Sequence, residues 1–488
     1  MRRTLAGLII HIAVLAVAAA AGAQTLAPGE VLVGASKVSI EPAPNAFKGE
    51  FWETDASACT LPGSLLFALD TRTPWPENPN CIYSGGFGIG PMNPLTSWDE
   101  EYGLWSRSIA ISDGEDTVVL TILDGAYYFG RYRNLCERCG FFSLAEDLGA
   151  ELGIPPSGFL FTYTHSHAAP DFIGGWGAVP QWYMDQVANA MRRSVRRAVA
   201  RMKPATLEAG DELLRGFNSE RRDSYWSAEG ATLPWFRAID RAGSVIATAV
   251  AYARHPTSRD PVDGGHADWH ATFSARAEQR FGGMAAAFPS GLGNKSGRGG
   301  WESGAGVADA IPEIGEGMPV TSPGGATPDV RSRQVFWTQP VTNSALLALG
   351  VNGLFDRPFQ NAPATIVTGK SAADKCVSAS ALSVETAVSA VRIGNLTITG
   401  GPGELFSNLT NTIQEEEFEK GQPVTLPLSV ANDGLGYIMQ KFEYDYIAGQ
   451  VTGFVGAEGL FEYEDAYAID GCFGTMVLET TLGALDGL

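Results

Sequence analysis

The sequence is short of basic residues. Its 488 residues include 34 lysines and arginines against 54 aspartates and glutamates, which gives a formal net charge of −20. A surface with this excess of negative charge repels nucleic acid phosphates and is poorly suited to lying on anionic lipid. We therefore expect no nucleic acid partner, and contact with a membrane surface would be transient. The oligomeric state is left open.

Long apolar runs are missing beyond the N-terminus, and the chain has no internal repeat. At the N-terminus, Arg2 and Arg3 precede an apolar stretch that ends in the small residues Ala21-Gly22-Ala23. This arrangement predicts a cleaved signal peptide over residues 1–23 and a secreted or periplasmic protein. An uncleaved membrane anchor is the alternative. We expect residues 24–488 to form a single domain.

Cysteine is scarce, with six residues in the chain. An even number in an exported chain favours disulfides. Among the connectivities that six cysteines allow, we predict the pairs Cys59–Cys81, Cys136–Cys139 and Cys376–Cys472. The Cys-x-x-Cys spacing of the second pair also suits a redox pair, although nothing nearby resembles a thioredoxin βαβ unit. Two cysteines alone cannot complete a tetrahedral zinc site.

The distribution of apolar residues predicts an α/β fold. Short apolar runs such as Thr117–Leu123 read as strands, and residues 143–152 and 181–202 read as helices, the first with Ser143 as its N-cap. We predict a mixed β-sheet core flanked by helices, a metal site at strand ends, and long Gly/Pro-rich loops. Residues 295–335 would be a surface loop or an inserted lid. A hairpin is expected from two strands over 382–390 and 391–399.

Histidine is also rare, yet two of the six histidines are separated by a single residue. Thr164-His165-Ser166-His167 closes an apolar, strand-like run. Residues i and i+2 of a strand point to the same side. We therefore expect His165 and His167 to face one site at the C-terminal edge of the strand. A chance pair, one packed and one solvated, is the alternative.

Two other segments place potential metal ligands at strand ends. His255 follows the apolar residues 245–253, and Glu404 follows Gly400-Gly401-Pro402-Gly403. Two imidazoles and one carboxylate suit a catalytic zinc ion with an open position for water. A compact motif such as His-Glu-x-x-His is absent. A core histidine at 255 and a carboxylate at a helix N-terminus at 404 are the structural alternatives.

Several segments resemble the neutral/alkaline ceramidase family, which are exported zinc amidases that hydrolyse N-acylsphingosine. In the family's order these segments are Val38-Ser39-Ile40-Glu41-Pro42, Thr164-His165-Ser166-His167, His255-Pro256-Thr257, Pro402-Gly403-Glu404, Asn432 with Gly436-Tyr437, and Tyr463-Glu464. The resemblance implies the family's N-terminal catalytic domain over residues 24–488, without its C-terminal β-sandwich domain. Ala168-Ala169-Pro170-Asp171 departs from the Gly-Pro-Gly-Gly of the family.

The resemblance also implies a site and an activity. Zinc would be held by His165, His255, Glu404 and Tyr437. His167 would be the general base, with the amide oxygen steadied by Tyr444 and Tyr463, and Arg221 or Arg222 would match an arginine of the substrate cleft. The implied enzyme is a zinc-dependent amidohydrolase of sphingolipid metabolism, in which a zinc-activated water attacks the carbonyl of a lipid-like N-acyl amide.

Two other functions remain open at this point. His255, His266, Asp268 and His270 could together form a phosphoesterase site. The chain could also be a non-catalytic secreted binding protein on the same fold. Because residues 168–171 depart from the family pattern, a smaller N-acyl amide or an ester is an alternative to ceramide as the substrate.

Overall fold

The computed structural model describes residues 25–59, 80–87, 92–222, 231–344, 346, 355–369, 375–444 and 463–488. The predicted signal peptide lies outside these residues. Among the described helices, none combines the length and the hydrophobicity that crossing a membrane requires.

The described residues form strands along the whole chain. In chain order these are β1 (Glu30–Ser39), β2 (Trp105–Ser112), β3 (Thr117–Leu123), β4 (Phe159–Tyr163), β5 (Lys203–Leu214), β6 (Asn218–Glu220), β7 (Ala231–Asp240), β8 (Val245–Tyr252), β9 (Met284–Pro289), β10 (Lys295–Gly297), β11 (Met318–Pro319), β12 (Val330–Pro340), β13 (Ala364–Thr368), β14 (Cys376–Ser380), β15 (Ser383–Ile393), β16 (Leu396–Gly400), β17 (Glu404–Leu405), β18 (Val424–Leu428) and β19 (Tyr437–Ile438).

Helices occupy the connections between these strands. They are α1 (Ala56–Cys59), α2 (Phe141–Leu152), α3 (Gln181–Ala200), α4 (Trp269–Phe281), α5 (Gly304–Asp309), α6 (Ser407–Glu419), α7 (Tyr463–Ala466) and α8 (Phe473–Leu485).

The largest element is a nine-stranded mixed sheet in the order β4-β3-β2-β1-β5-β7-β8-β9, with β11 paired to β5. The pairs β3–β4 and β8–β9 are parallel, and the intervening pairs are antiparallel. Its two edge strands, β4 and β9, nevertheless approach each other. The sheet therefore curls strongly, as accumulated strand twist allows, and strand ends from opposite edges come together.

A second sheet, β12-β15-β16-β18, packs face to face against the large one. The apolar core between them joins side chains of β1, β3 and β9 with side chains of β16 and β18. Helix α3 covers the outer face of the large sheet with a stripe of buried Val187, Met191 and Val195. Helices α6 and α8 cover the outer side of the second sheet. The prediction of a mixed α/β core flanked by helices is confirmed.

All three predicted disulfides, Cys59–Cys81, Cys136–Cys139 and Cys376–Cys472, are present. Three local predictions are wrong. Helix α2 begins at Phe141 after an N-cap at Gly140 rather than at Ser143. Residues 295–335 are not one open loop, since β10, α5 and β11 lie within them and β12 begins there. The hairpin turns at Gly394 and Asn395, because the φ of +56° at Gly394 suits glycine better than a strand residue.

Candidate metal centre

A kink in the backbone, rather than strand alternation, brings His165 and His167 together. Strand β4 ends at Tyr163, so both histidines lie beyond it. His165 has a φ of +61°, which non-glycine residues rarely adopt. The expectation that His165 and His167 face one site is confirmed, but strand alternation is not the cause. Such strained positions persist where the surrounding structure holds them in place.

Residues 430–432 link strand β4 to the segment that carries Glu404. Asn432 donates its backbone N–H to the Phe161 carbonyl at 2.6 Å, and its side-chain oxygen accepts the Phe161 N–H at 3.1 Å. Val430 donates to the carbonyl of Gly403 at 2.8 Å. Val430 and Asn432 both have positive φ angles, of 48° and 65°. The contacts of this strained link fix Glu404 relative to the end of β4.

Glu404 and Tyr437 are neighbours because β17 and β19 pair in parallel with these two residues in register. Both are buried, at 3 % and 6 % exposure. The Tyr437 ring lies roughly parallel to that of His255, with 6.4 Å between the ring centroids. His255 itself follows β8 and is held by a hydrogen bond from its backbone N–H to the Lys295 carbonyl.

The side chains of His165, His255 and Glu404 converge. The two Nε2 atoms of His165 and His255 are 3.2 Å apart, and Glu404 Oε2 lies 3.3 Å from His165 Nε2 and 3.8 Å from His255 Nε2. His165, His167 and His255 each offer a ring nitrogen within 4.8 Å of the others. This histidine group could bind a metal ion.

The hydrogen bonds of the imidazoles test that fit. His165 Nδ1 lies 3.0 Å from the Ala126 carbonyl, which can only accept, so Nδ1 carries the proton and Nε2 presents a lone pair. His255 Nδ1 lies 3.2 Å from the Leu292 carbonyl, and the same tautomer leaves its Nε2 unprotonated. Two lone pairs and a carboxylate oxygen then face one another, an arrangement that a bound cation stabilises. Carbonyl groups that orient metal-binding histidines in this way are a common second layer of metal sites.

Arg221 and the Leu292 carbonyl are competing hydrogen-bond partners of His255 Nδ1, and each favours a different imidazole tautomer. Its Nη1 lies 3.2 Å from His255 Nδ1, and a guanidinium can only donate. If Nδ1 accepts from Arg221, the proton moves to Nε2, and His255 then hydrogen-bonds His165. Only the tautomer in which His255 Nδ1 donates to the Leu292 carbonyl leaves Nε2 unprotonated and able to bind a metal ion. The residues present therefore fit a cation, and Arg221 is placed to influence that fit.

Two buried atoms support this conclusion. Glu404 Oε2 and His167 Nε2 are both inaccessible to solvent, and neither has a hydrogen-bond partner among the described residues. A buried polar atom without a partner is costly, so such atoms are expected where a ligand binds. Both belong to the group of side chains around His165.

Burial and nearby positive charge keep the imidazoles of His255 and His167 neutral. Burial lowers the pKa of His255 well below its usual value, and the positive charge of Arg221 lowers it further. Burial also lowers the pKa of His167, with contributions from His165 and Arg221. A neutral imidazole is the form that binds a metal or accepts a proton.

His167 sits in a close-fitting pocket. Its ring stands edge-on to Phe87, with 5.4 Å between the centroids. A Cβ atom on Gly86, whose φ is +91°, would lie 2.0 Å from His167 Nδ1, so only glycine fits there. The His167 backbone N–H donates to the Pro256 carbonyl. The ring is therefore fixed beside His165 and His255.

Of the two candidate arginines, Arg221 faces the site. Arg222 instead donates to Asp465 Oδ2 at 3.1 Å and lies over the Phe406 ring. Tyr444 packs near Tyr437 in a small apolar cluster. Tyr463 begins α7, and its side chain lies outside the described part of the structure.

The rival group does not form one site. His255 belongs to the metal centre, whereas Asp268 is the N-cap of α4 and accepts the backbone N–H groups of Ser258, Arg259 and Trp269. His266 Nδ1 accepts the Asp268 N–H at 2.8 Å, and His270 Nδ1 lies 2.9 Å from the Ala287 carbonyl. None of His266, Asp268 and His270 belongs to the histidine group whose ring nitrogens lie within 4.8 Å of one another.

Several contacts around His165 were not predicted from the sequence. Tyr127 stands edge-on to His165 at 4.8 Å and stacks on Trp176 at 4.7 Å. Buried Asp171 holds the Trp176 loop by accepting its N–H at 2.9 Å. The one available signal was the glycine-rich stretch around Trp176. Asp124, which follows β3, forms an ion pair with buried Arg107.

Comparison with known proteins agrees with this architecture. No model of a known protein family matches the chain, and no curated protein matches it. Among solved structures, the neutral ceramidase from Pseudomonas aeruginosa superposes with a TM-score of 0.64 at 15% sequence identity, over 95% of this chain and 75% of that one. A ceramidase complexed with C2 gives a TM-score of 0.62 at 14% identity, over 94% and 76% of the two chains. The chain therefore has the neutral ceramidase fold.

Proposed function

We propose that the protein is an exported zinc-dependent hydrolase that cleaves the amide bond of a ceramide-like N-acyl lipid. The observation that carries this proposal is the convergence of His165, His255 and Glu404. The unprotonated Nε2 atoms of the two histidines face a carboxylate oxygen of Glu404. The fold shared with ceramidases supports the substrate class. The three disulfides and the predicted signal peptide support export.

His165, His255, Glu404 and Tyr437 would hold the zinc ion. Nitrogen and oxygen ligands of this kind suit zinc. When bound, zinc would polarise the amide carbonyl and lower the pKa of a coordinated water to about 7. The carbonyls of Ala126 and Leu292 would hold the two imidazoles in the ligating tautomer.

His167 would act as the general base. Its low pKa leaves it neutral at pH 7, and its Nε2 has no partner among the described residues. It would accept a proton from the attacking water and return it to the leaving amine nitrogen. Tyr444 and Tyr463 would donate hydrogen bonds to the amide oxygen as negative charge develops there, and Arg221 would help orient the substrate.

Zinc removal and restoration test the proposal. Purified protein should contain one zinc ion per chain, lose hydrolysis after chelation, and recover it when zinc is added. Ceramide in detergent micelles, a short-chain N-acyl amide, a fatty-acid ester and an aryl phosphate would be compared as substrates. Equimolar release of fatty acid and amine is the expected result. Zinc-free protein that binds lipid without cleaving it would contradict the proposal.

The phosphoesterase alternative has its own signature. Activity from the second histidine group would hydrolyse the aryl phosphate. It would be abolished by His266→Ala combined with His270→Ala and would survive His165→Ala. The amidase proposal expects the opposite pattern for both sets of variants.

A further inference from the structure

The Cys136–Cys139 disulfide differs from the other two in its exposure. Cys59, Cys81, Cys376 and Cys472 are all buried, at 5 % exposure or less, as is Cys139 at 3 %. Cys136 is partly exposed, and both cysteines lie along a surface groove of about 520 Å³. Thiol–disulfide exchange requires that an incoming thiolate reach one sulfur. Cys136 is the half of this pair that such a thiolate can reach.

The surroundings of Cys136 favour its thiolate. The backbone N–H of Cys139 donates to Cys136 Sγ at 3.0 Å. A hydrogen bond from a backbone amide stabilises a negative charge on the sulfur that accepts it. The groove beside it is lined by Lys48, Arg138 and Arg192 as well as by Glu50, Glu137 and Asp185.

The backbone on either side of the pair is anchored without the disulfide. Before it, Asn134 and Leu135 donate their N–H groups to the carboxylate of Asp356. After it, the Tyr128 hydroxyl donates to the Cys139 carbonyl at 2.8 Å. The disulfide itself links residues only 3 apart in sequence, against 22 and 96 for the others. Short links contribute least to stability, so the segment should stay in place when the bond is broken.

We propose that Cys136–Cys139 is a reversible thiol–disulfide exchange site whose reaction partner is a dithiol, entering from the groove. A thiolate of the dithiol attacks Cys136 Sγ, the Cys136–Cys139 bond breaks, and Cys139 leaves as a thiolate and takes up a proton. The second thiolate of the partner then attacks the partner's own sulfur in the mixed disulfide. Cys136 is released and protonated. The protein gains two electrons and two protons, and the partner becomes a disulfide.

This site is independent of the proposed hydrolase chemistry, so its test needs no substrate. Folded protein would be incubated with dithiothreitol, quenched with acid at intervals and alkylated, and the reduced fraction of each cysteine pair would be measured by peptide mass spectrometry. We expect Cys136–Cys139 to be reduced about tenfold or more faster than the other two pairs, and to reoxidise with oxidised dithiothreitol. Circular dichroism should show that the protein remains folded throughout.

A matched pair of variants tests which sulfur is attacked. With glutathione disulfide, Cys139→Ser should form a mixed disulfide at Cys136, and Cys136→Ser should react about tenfold more slowly at buried Cys139. If either variant fails to fold, brief exposure of the wild-type protein to glutathione should place the first mixed disulfide on Cys136. Equal reduction rates for all three disulfides, or reduction only after unfolding, would overturn the proposal. So would preferential labelling of Cys139.

Discussion

The chain contains two groups of buried histidines that differ in how their ring nitrogens are used. In the first, His165 and His255 direct Nε2 atoms at each other and at Glu404. In the second, His266 accepts the N–H of Asp268, and His270 lies against the Ala287 carbonyl. Both groups are almost fully buried. Both groups also contain a buried Nε2 atom without a hydrogen-bond partner among the described residues, at His167, His266 and His270. Burial and residue type therefore do not separate a candidate metal centre from packed histidines. The distinguishing feature is that the Nε2 atoms of His165 and His255 converge on each other and on a carboxylate oxygen.

The carboxylates show the same contrast. Glu404 Oε2 makes no hydrogen bond among the described residues, whereas both oxygens of Asp268 accept backbone N–H groups, Oδ1 that of Trp269 at the start of α4 and Oδ2 that of Ser258. An unsatisfied carboxylate beside bare imidazole nitrogens suits a cation. A carboxylate whose acceptors are filled by backbone groups serves the fold. This contrast favours a cation site in the first group and a structural role for the second.

Removing a ligand from the first group should produce the largest effect. His165→Ala deletes the imidazole closest to both His255 and Glu404, so we expect bound zinc to fall from one per chain to almost none. Hydrolysis should drop by more than about a hundredfold, the loss that altered outer-layer contacts alone can cause at metal sites. Elemental analysis and initial rates measure both. His270→Asn is the matched control and should keep both zinc and hydrolysis. Retention of zinc by His165→Ala would contradict the distinction between the two histidine groups.

The second prediction separates the roles of two neighbouring histidines. His167→Asn should lower kcat by about 10²–10⁴-fold, the usual contribution of a general base, while zinc content stays at one per chain. The pH–rate profile should also lose the part of its acidic limb that reports protonation of His167. Loss of zinc from a folded His167→Asn protein would instead make His167 a third imidazole ligand, which its position within the same group would permit.

Sequence patterns predicted which residues to consider but not why they meet. Strand ends correctly drew attention to His165 and His255. Along the large sheet, however, β4 and β8 run in opposite directions, so a shared carboxyl edge does not bring them together. The curl of the sheet does so, and it depends on packing between distant strands. Local sequence does not encode that curvature.

The orientation of each imidazole was similarly beyond the sequence. It depends on the carbonyls of Ala126 and Leu292, which any residue type would supply. The positive φ at His165 also has no usable sequence signal. Histidine is enriched among the non-glycine residues with positive φ, but only a few per cent of non-glycine residues adopt that conformation. The disulfides were easier to predict, since two of the three pairs are local in sequence.

The third prediction concerns acid stability and the second group. Burial lowers the pKa of His270 to about 3, so it stays neutral in the folded protein when the unfolded chain binds a proton. Neutral His270 therefore imposes no stability cost above pH 6.5. As the pH falls from 6.5 toward about 3, the free energy of unfolding decreases by up to about 1.4 kcal/mol per pH unit.

His270→Asn should remove this dependence while keeping a donor toward the Ala287 carbonyl. Urea unfolding midpoints measured from pH 7 to pH 4 should fall less steeply in the variant than in the wild-type protein. His266, whose pKa burial lowers to about 4, and the metal centre contribute equally to both proteins, so the difference in slope isolates His270. Identical slopes would show that His270 does not become buried and neutral on folding.

The smallest expected effect lies at Asp268. Asp268→Ala removes the acceptor of three backbone N–H groups, those of Ser258, Arg259 and Trp269, and leaves alanine at a φ of +54°. We therefore expect a loss of about 1–2 kcal/mol in the free energy of unfolding. Asp268→Asn keeps a capping oxygen and tolerates positive φ, so it should lose less. Neither change should alter zinc content, because Asp268 directs its oxygens at backbone amides. Loss of zinc from a folded Asp268→Asn protein would contradict this separation and would show that the two histidine groups form one site.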